Sequence, residues 1–230
     1  MTALKHGVWL HNGTSLSIGD AVEAATVAEA SGWDGVFVSD SPWEGYSDPW
    51  VTLGACAAVT ERVTLGTWVI PLPQYDPMRV AHAAASVDQL SGGRMLLGVG
   101  LGVRDEYEMF HRGYDGPRLG RKYDEALQVV DGLWQNETFS FKGEFFRLQD
   151  AALPKRPVQS PRIPIVMGAW WPNRRPFRRA AAWDGVMPFW PALLGSEGPE
   201  GQEPSGATPD GELREMMAFY RSLTDDPGEV

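Results

Sequence analysis

Apolar residues along the chain follow two alternating patterns, short continuous or alternating runs and longer stretches with helical spacing, with Gly, Pro, Asp and Asn at each switch. The short runs predict six strands: HGVWL (6–10), DGVFVSD (34–40), RVTLGTWVI (62–70), RMLLGVG (94–100), IPIVMG (163–168) and DGVMPFW (184–190). The longer stretches predict helices over 19–32, 48–60, 76–91, 118–134, 173–183 and 209–223, with a short one near 106–110. Two helices open on Asp-Pro, at Asp48-Pro49 and Asp76-Pro77. There the aspartate caps free N–H groups, and the proline occupies the first helical position, where its missing N–H does no harm. Gly32 and Ser91-Gly92-Gly93 mark helix ends. In 118–134, residues Leu119, Tyr123, Leu127, Val130 and Leu133 share one face.

Between the fourth and fifth strands the rhythm is interrupted. TFSFKGEFFRL (138–148) alternates around Lys142-Gly143 as a hairpin does, and LPKRPVQSPRIP (153–164) reads as an extended connector. Residues 192–208, rich in Gly, Pro, Ser and Glu, predict a long mobile loop. Six βα units whose strands are apolar on both faces predict an α/β fold, either a (β/α) barrel or a doubly wound sheet, in one domain over 1–230. A barrel needs eight strands and typically about 250 residues, so a barrel here is a truncated one.

Composition narrows the partners. Thirty acidic residues against twenty basic ones give a net charge of −10, which argues against a general affinity for nucleic acid or anionic membrane and leaves a small molecule as the expected partner. No signal-like segment or membrane-length apolar run is visible, and the lone Cys56 lies in the apolar helical stretch LGACAAV, so a buried thiol in a soluble, cytoplasmic protein is expected. No metal site is expected: His6 and His11 are five apart, on opposite faces of a strand, and no H-x-H, H-E-x-x-H or paired-cysteine pattern occurs. Neither a G-x-S-x-G elbow nor a P-loop is present.

The stretch SGGRMLLGVGLGVRDEYEMF (91–110) places Gly98, Gly100 and Gly102 where a strand should be strongest. Their G-x-G-x-G spacing departs from the dinucleotide-binding G-x-G-x-x-G. In an extended strand the three share one face, leaving bare backbone that suits either a flat ring or tight packing in a crowded barrel layer. After the fifth strand, Arg174 and Arg175 fall in a first helical turn, where a cation is disfavoured by roughly 0.3–1 kcal/mol. An anion would offset that, with N–H groups at Gly168, Ala169 and Asn173 as a phosphate cradle. A solvated basic face is the other reading, and fits Arg178 and Arg179 better.

Four ordered segments, GWDGVFVSDS, DPWVTLGACAAVTERVTLGTWVIPLP, DPMRVAHAAASVDQLSGGRMLLGVGLG and IPIVMGAWWPNRRPFRRAAAWDGVMPF, resemble the bacterial-luciferase-like superfamily of flavin-dependent oxidoreductases and monooxygenases. The resemblance implies a TIM barrel, FMN or the deazaflavin coenzyme F-420 at the strand C-termini, a small organic substrate and a homodimer. It implies that the ring lies near Asp40, near a bulge at Thr67, Trp68 and Val69 with a non-proline cis peptide, and along Gly100, Leu101 and Gly102. Ser41 and Val103 stand where relatives carry a histidine and a glutamate, so the family's acid–base assignment does not transfer. By position, His11 and Asp40 are then the catalytic candidates, followed by Tyr107 and Glu106. Ser41, Trp43, Tyr107 and Trp170 are the expected substrate wall, with Trp68 beside them. A non-catalytic flavin-binding protein, or a remnant of the family, is the alternative.

Overall fold

A computed structural model describes residues 4–10, 16–190 and 209–224. The strands are β1 (Gly7–Leu10), β2 (Gly35–Val38), β3 (Thr64–Thr67), β4 (Ile70–Pro71), β5 (Met95–Gly100), β6 (Phe139–Lys142), β7 (Arg147–Ala151), β8 (Ile165–Trp170) and β9 (Gly185–Phe189). The helices are α1 (Ile18–Ala30), α2 (Pro49–Ala57), α3 (Pro77–Ser91), α4 (Arg104–Met109), α5 (Gly116–Gln135), α6 (Arg174–Ala180) and α7 (Pro209–Arg221). The strands other than β6 and β7 form one parallel sheet in the order β1-β2-β3-β5-β8-β9, with β4 also beside β5. The order never reverses, as it must in a doubly wound sheet. The sheet therefore curls one way into a half-barrel, with α1 against α2, α2 against α3 and α3 against α5.

Local chemistry sets these elements where the pattern placed them. Asp48 accepts from the Val51 N–H, and Asp76 accepts from the Met78 and Arg79 N–H groups. Gly92 ends α3 at φ 69°. The predicted face of α5 is buried throughout, Leu119, Tyr123, Leu127, Val130 and Leu133 all packing inward. Cys56 is buried, and burial pushes its thiol up to about 11, so it is a packing residue and a poor nucleophile.

Two elements differ from the sequence pattern. The third strand divides into β3 and β4 around Trp68–Val69, whose peptide bond is cis, because Trp68 and Val69 turn toward the mouth of the half-barrel. The hairpin turn is longer than Lys142-Gly143 alone: Lys142 pairs with Arg147, and the Gly143 N–H donates to the Phe146 carbonyl across a four-residue loop. Glu125 of α5 sets that loop, accepting from the N–H groups of Glu144, Phe145 and Phe146 at 2.7, 2.9 and 3.2 Å. Glu125→Ala is expected to cost about 2 kcal/mol, since three loop N–H groups lose their acceptor. Urea unfolding measures this, with faster amide exchange confined to residues 139–151 as its local signature. Residues 192–208, the expected loop, lie outside the described residues.

The connector is fixed by Asp88, fully buried on α3, which accepts from the Val158 and Gln159 N–H groups and from the Gln159 side chain. On the inner face of the sheet, Phe37 lies across Gly7, Gly35 and Gly66; a Cβ at Gly66 would stand 2.7 Å from its ring. Those glycines make room for one aromatic ring. Trp68 meets Phe37 edge-on and stacks on Trp9, with centroids 5.7 and 6.0 Å apart, and Phe189 stacks on Trp170 at 5.5 Å.

Candidate active site

The strand C-termini converge on a cavity of about 360 Å³. That is within the usual range for small-molecule sites, about 300–1,000 Å³. Apolar walls come from Trp9, Trp68, Val69, Pro71, Leu101, Trp170 and Phe189, and backbone is exposed to it at Gly100, Gly102 and Gly168. Ser39, Asp40, Ser41, Glu44, Tyr46, Glu106, Tyr114 and Asn173 supply polar groups. No lysine, arginine or histidine is among the described residues that line it.

Hydrogen bonds lock the shape. Ser39 accepts from Trp9 Nε1 at 2.7 Å and donates to the Trp68 carbonyl at 3.0 Å, tying β1, β2 and the bulge together. Trp68 Nε1 is itself buried with no protein partner, a free donor in the cavity-lining cluster. Gly100 and Gly168 both face Val69: a Cβ there would lie 2.8 and 3.1 Å from Val69 Cγ2. Gly102, at φ 84°, turns the chain between Pro71 and Glu106.

Two carboxyl groups give the cavity its chemistry, and consecutive residues after β4 hold them. Tyr75 Oη donates to Asp40 Oδ2 at 2.5 Å, and Gln74 Nε2 donates to Glu106 Oε2 at 2.5 Å. Burial raises the pKa of Asp40; the Tyr75 hydrogen bond opposes that rise and the charge of Asp48 adds to it. Glu106, only 6 % exposed, is pushed up to about 7, chiefly by burial, with Asp40 and Glu44 adding repulsion against the hydrogen bond from Gln74. A carboxyl group poised there can hold or release a proton at neutral pH.

The glycine run is thus divided in purpose. Gly98 does not face the cavity: a Cβ there would run into the Thr67 carbonyl, and Met187 Sδ would be 3.0 Å away. Only Gly100 and Gly102 reach the site, so the bare face expected along all three is confined to the strand end.

Of the other expected site residues, Asp40, Ser41, Trp68, Val69, Leu101, Gly168, Trp170 and Asn173 are brought together at the cavity. Thr67 is not: it is fully buried, its hydroxyl donating to the Gly98 carbonyl and accepting from the Gly98 N–H. Ala169 alternates away from the mouth into the core. Tyr107 is buried behind the wall, its Oη donating to the Leu101 carbonyl at 2.7 Å.

Arg174 and Arg175 do not line the cavity either. Arg174 stands 3.8 Å from Glu215 of α7 and 4.9 Å over the Phe219 ring, and its side chain is half exposed. Arg175 opens onto the outer groove between α5 and α6. His11 and the Trp43 side chain lie outside the described residues. The pattern did not reveal Trp9, Tyr46, Tyr114, Phe189 or the Gln74-Tyr75 pair; the one available signal for the pair was polar side chains between a strand end and the Asp76-Pro77 cap.

The family model for luciferase-like monooxygenases matches residues 1–192, most of the chain. The chain belongs to that family. Within the luciferase-like family, it is 36% identical over 163 residues to an F420-dependent glucose-6-phosphate dehydrogenase of Amycolatopsis mediterranei, covering 66% of this chain and 48% of that protein. A protein of the same name from Kineococcus radiotolerans is 31% identical over 234 residues, 92% of this chain and 66% of its own. The chain thus spans from about half to two thirds of the length of these curated relatives. Among solved structures, the monooxygenase RslO1 of Streptomyces bottropensis superposes with a TM-score of 0.79 at 25% identity, over 99% of this chain and 68% of its own. The fold also matches, at TM-score 0.79 and 18% identity, a type II Baeyer–Villiger monooxygenase of Pseudomonas putida solved with FMN, over 100% of this chain and 64% of that one.

Among the described residues no helix is long and apolar enough to cross a membrane, and no group of His, Cys, Asp and Glu could hold a metal ion.

Proposed function

We propose that the chain binds reduced FMN or coenzyme F-420 in the cavity at the strand C-termini and acts as an oxidoreductase on a small organic molecule. The observation that carries this reading is the pairing, in one apolar cavity, of backbone bared at Gly100, Gly102 and Gly168 with the buried carboxyl group of Glu106 and the half-buried one of Asp40. Relatives point the same way: the curated ones are named F420-dependent, and solved neighbours hold FMN or an F420–acetone adduct.

The donor set suits a planar, partly polar ring. Trp68, Val69, Leu101 and Trp170 would hold its faces and exclude water, and Trp68 Nε1 offers an unpaired donor. The cofactor supplies the redox equivalents, and the protein the positioning. Glu106 holds a proton at its carboxyl oxygen near neutral pH and passes it to or from the substrate. Tyr75 orients Asp40 beside it. Glu106 thereby takes the part for which Val103 has no proton.

Titration with FMN and, separately, with coenzyme F-420, followed by fluorescence, is expected to show saturable micromolar binding of one. Oxygen consumption then separates monooxygenase from dehydrogenase action, and sedimentation tests the homodimer this reading includes. Binding of neither overturns it. Ser41 and Val103 favour a second reading, a flavin-binding protein without turnover, which binding with no substrate oxidation or reduction would select.

A further inference from the structure

Behind the cavity wall lies a second pocket, of about 370 Å³, between the turn after β4, the α4–α5 segment and the β6–β7 loop. Its charge is opposite to that of the first. Arg112, Arg118 and Lys122 line it, with Asp115 as the one acidic residue among its described lining. The Asp115 carboxylate is already engaged, capping α5 by accepting from the Arg118 N–H at 3.1 Å.

We propose that this pocket is an anion site that takes a phosphate-class group through Arg112, Arg118 and Lys122. Three cations share one concavity, and none makes an ion pair among the described residues. Neighbouring cations are treated differently by the same fold: Arg121, three residues beyond Arg118, pairs with Glu144, and Arg179 pairs with Asp124 across α5 and α6. In a chain of net charge −10 this local excess stands out. Lys122 is half-buried, its ammonium donating to the Pro73 carbonyl at 2.7 Å and lying 5.9 Å from the centre of the Phe146 ring. Burial, with Arg112 and Arg118 adding repulsion, holds its pKa below the ordinary lysine value. Bringing these cations together is unfavourable, and a bound dianion reverses its sign. The Arg118 guanidinium, 5.5 Å over the Phe145 ring, is held toward the pocket by stacking and keeps its fork free for oxygen atoms.

The first cavity has no cationic group among its described lining, and one side chain bridges residues of the two sites. Gln74 accepts from Arg112 Nη1 at 2.8 Å and donates to Glu106 at 2.5 Å. A ligand's phosphate can therefore lie on one side of Gln74 while the acidic cavity lies on the other. The phosphate belongs either to the cofactor or to a separate small molecule.

The test measures binding of inorganic phosphate by calorimetry, with chloride at equal ionic strength as reference. Saturable phosphate binding is expected in the wild type, weakened at least tenfold in the Arg118→Gln/Lys122→Gln double variant and unchanged in Arg178→Gln, whose guanidinium lies on the outer groove. Should the double variant fail to fold, Arg118→Gln alone, which removes no hydrogen bond of that side chain, is expected to weaken phosphate at least threefold. No phosphate-specific binding in the wild type, or equal binding in the variants, overturns the proposal. Titrations of FMN and riboflavin identify the source: phosphate that raises the apparent Kd of FMN and not of riboflavin means the cofactor's own phosphate sits there, and phosphate that binds without altering either means a separate anion.

Discussion

Glu106→Gln is expected to gain stability at pH 8 while losing at least a hundredfold in turnover. The folded carboxyl titrates near 7, above its ordinary value of 4.5, so between these values the folded protein holds a proton that the unfolded chain releases. Wild-type stability therefore falls as pH rises through that window, by at most about 1.4 kcal/mol per unit, and levels off above it. Glutamine keeps an acceptor for Gln74 and carries no charge to bury, so the variant lacks this slope. The difference in Tm between variant and wild type should be small at pH 4.5, grow toward pH 7 and stay constant beyond. Turnover moves the other way, because positioned proton transfer is worth typically 10²–10⁴-fold and glutamine cannot perform it. Cofactor affinity should change less than threefold. A variant whose Tm parallels the wild type across pH would show that Glu106 is not buried as an acid; full turnover would remove it from the chemistry.

Gly98→Ala is expected to destabilise by about 3 kcal/mol, at the upper end for overpacking. The new Cβ meets the Thr67 carbonyl, which is backbone, and Thr67 is clamped to Gly98 by its hydroxyl at 2.7 and 2.9 Å, so neither strand can yield. Gly100→Ala, two residues along the same strand, should behave differently. Its Cβ meets Val69 Cγ2, a side chain able to turn toward the cavity. We expect about 1 kcal/mol of lost stability and roughly tenfold weaker cofactor binding there. Urea unfolding and flavin titration of both variants check the pair; the opposite ordering would mean that Gly98, not Gly100, faces the ligand.

That contrast shows where reading the chain succeeds and where it stops. Helix starts at Asp48-Pro49 and Asp76-Pro77, the end of α3 at Gly92 and the buried face of α5 follow from residues within a few positions of one another, so the pattern places them closely. The bulge at Trp68–Val69 and the strand ends that line the site were reached through resemblance, because periodicity alone could not choose between a barrel and a doubly wound sheet. Arg174 stands beside Glu215, which α7 brings from far along the chain. A local rule about helix dipoles cannot see a carboxylate delivered from elsewhere.

By itself, the sequence determined the alternation of strand and helix, the caps, the apolar faces and kinship with the luciferase-like family. All of these rest on spacing within single elements or on ordered motifs. Tertiary structure alone decided which glycines face a ligand and which face a neighbouring strand. It also decided that Glu106 is raised to about 7 and that cationic Arg112, Arg118 and Lys122 gather behind it. The reason is distance along the chain: Asp40 meets Tyr75 across 35 residues and Glu106 meets Gln74 across 32, and a proton affinity is set by burial and by the charges such contacts bring near. Curling of the parallel sheet brings those segments to one end, and only there do two ordinary carboxylates become a pair whose proton affinities are both raised.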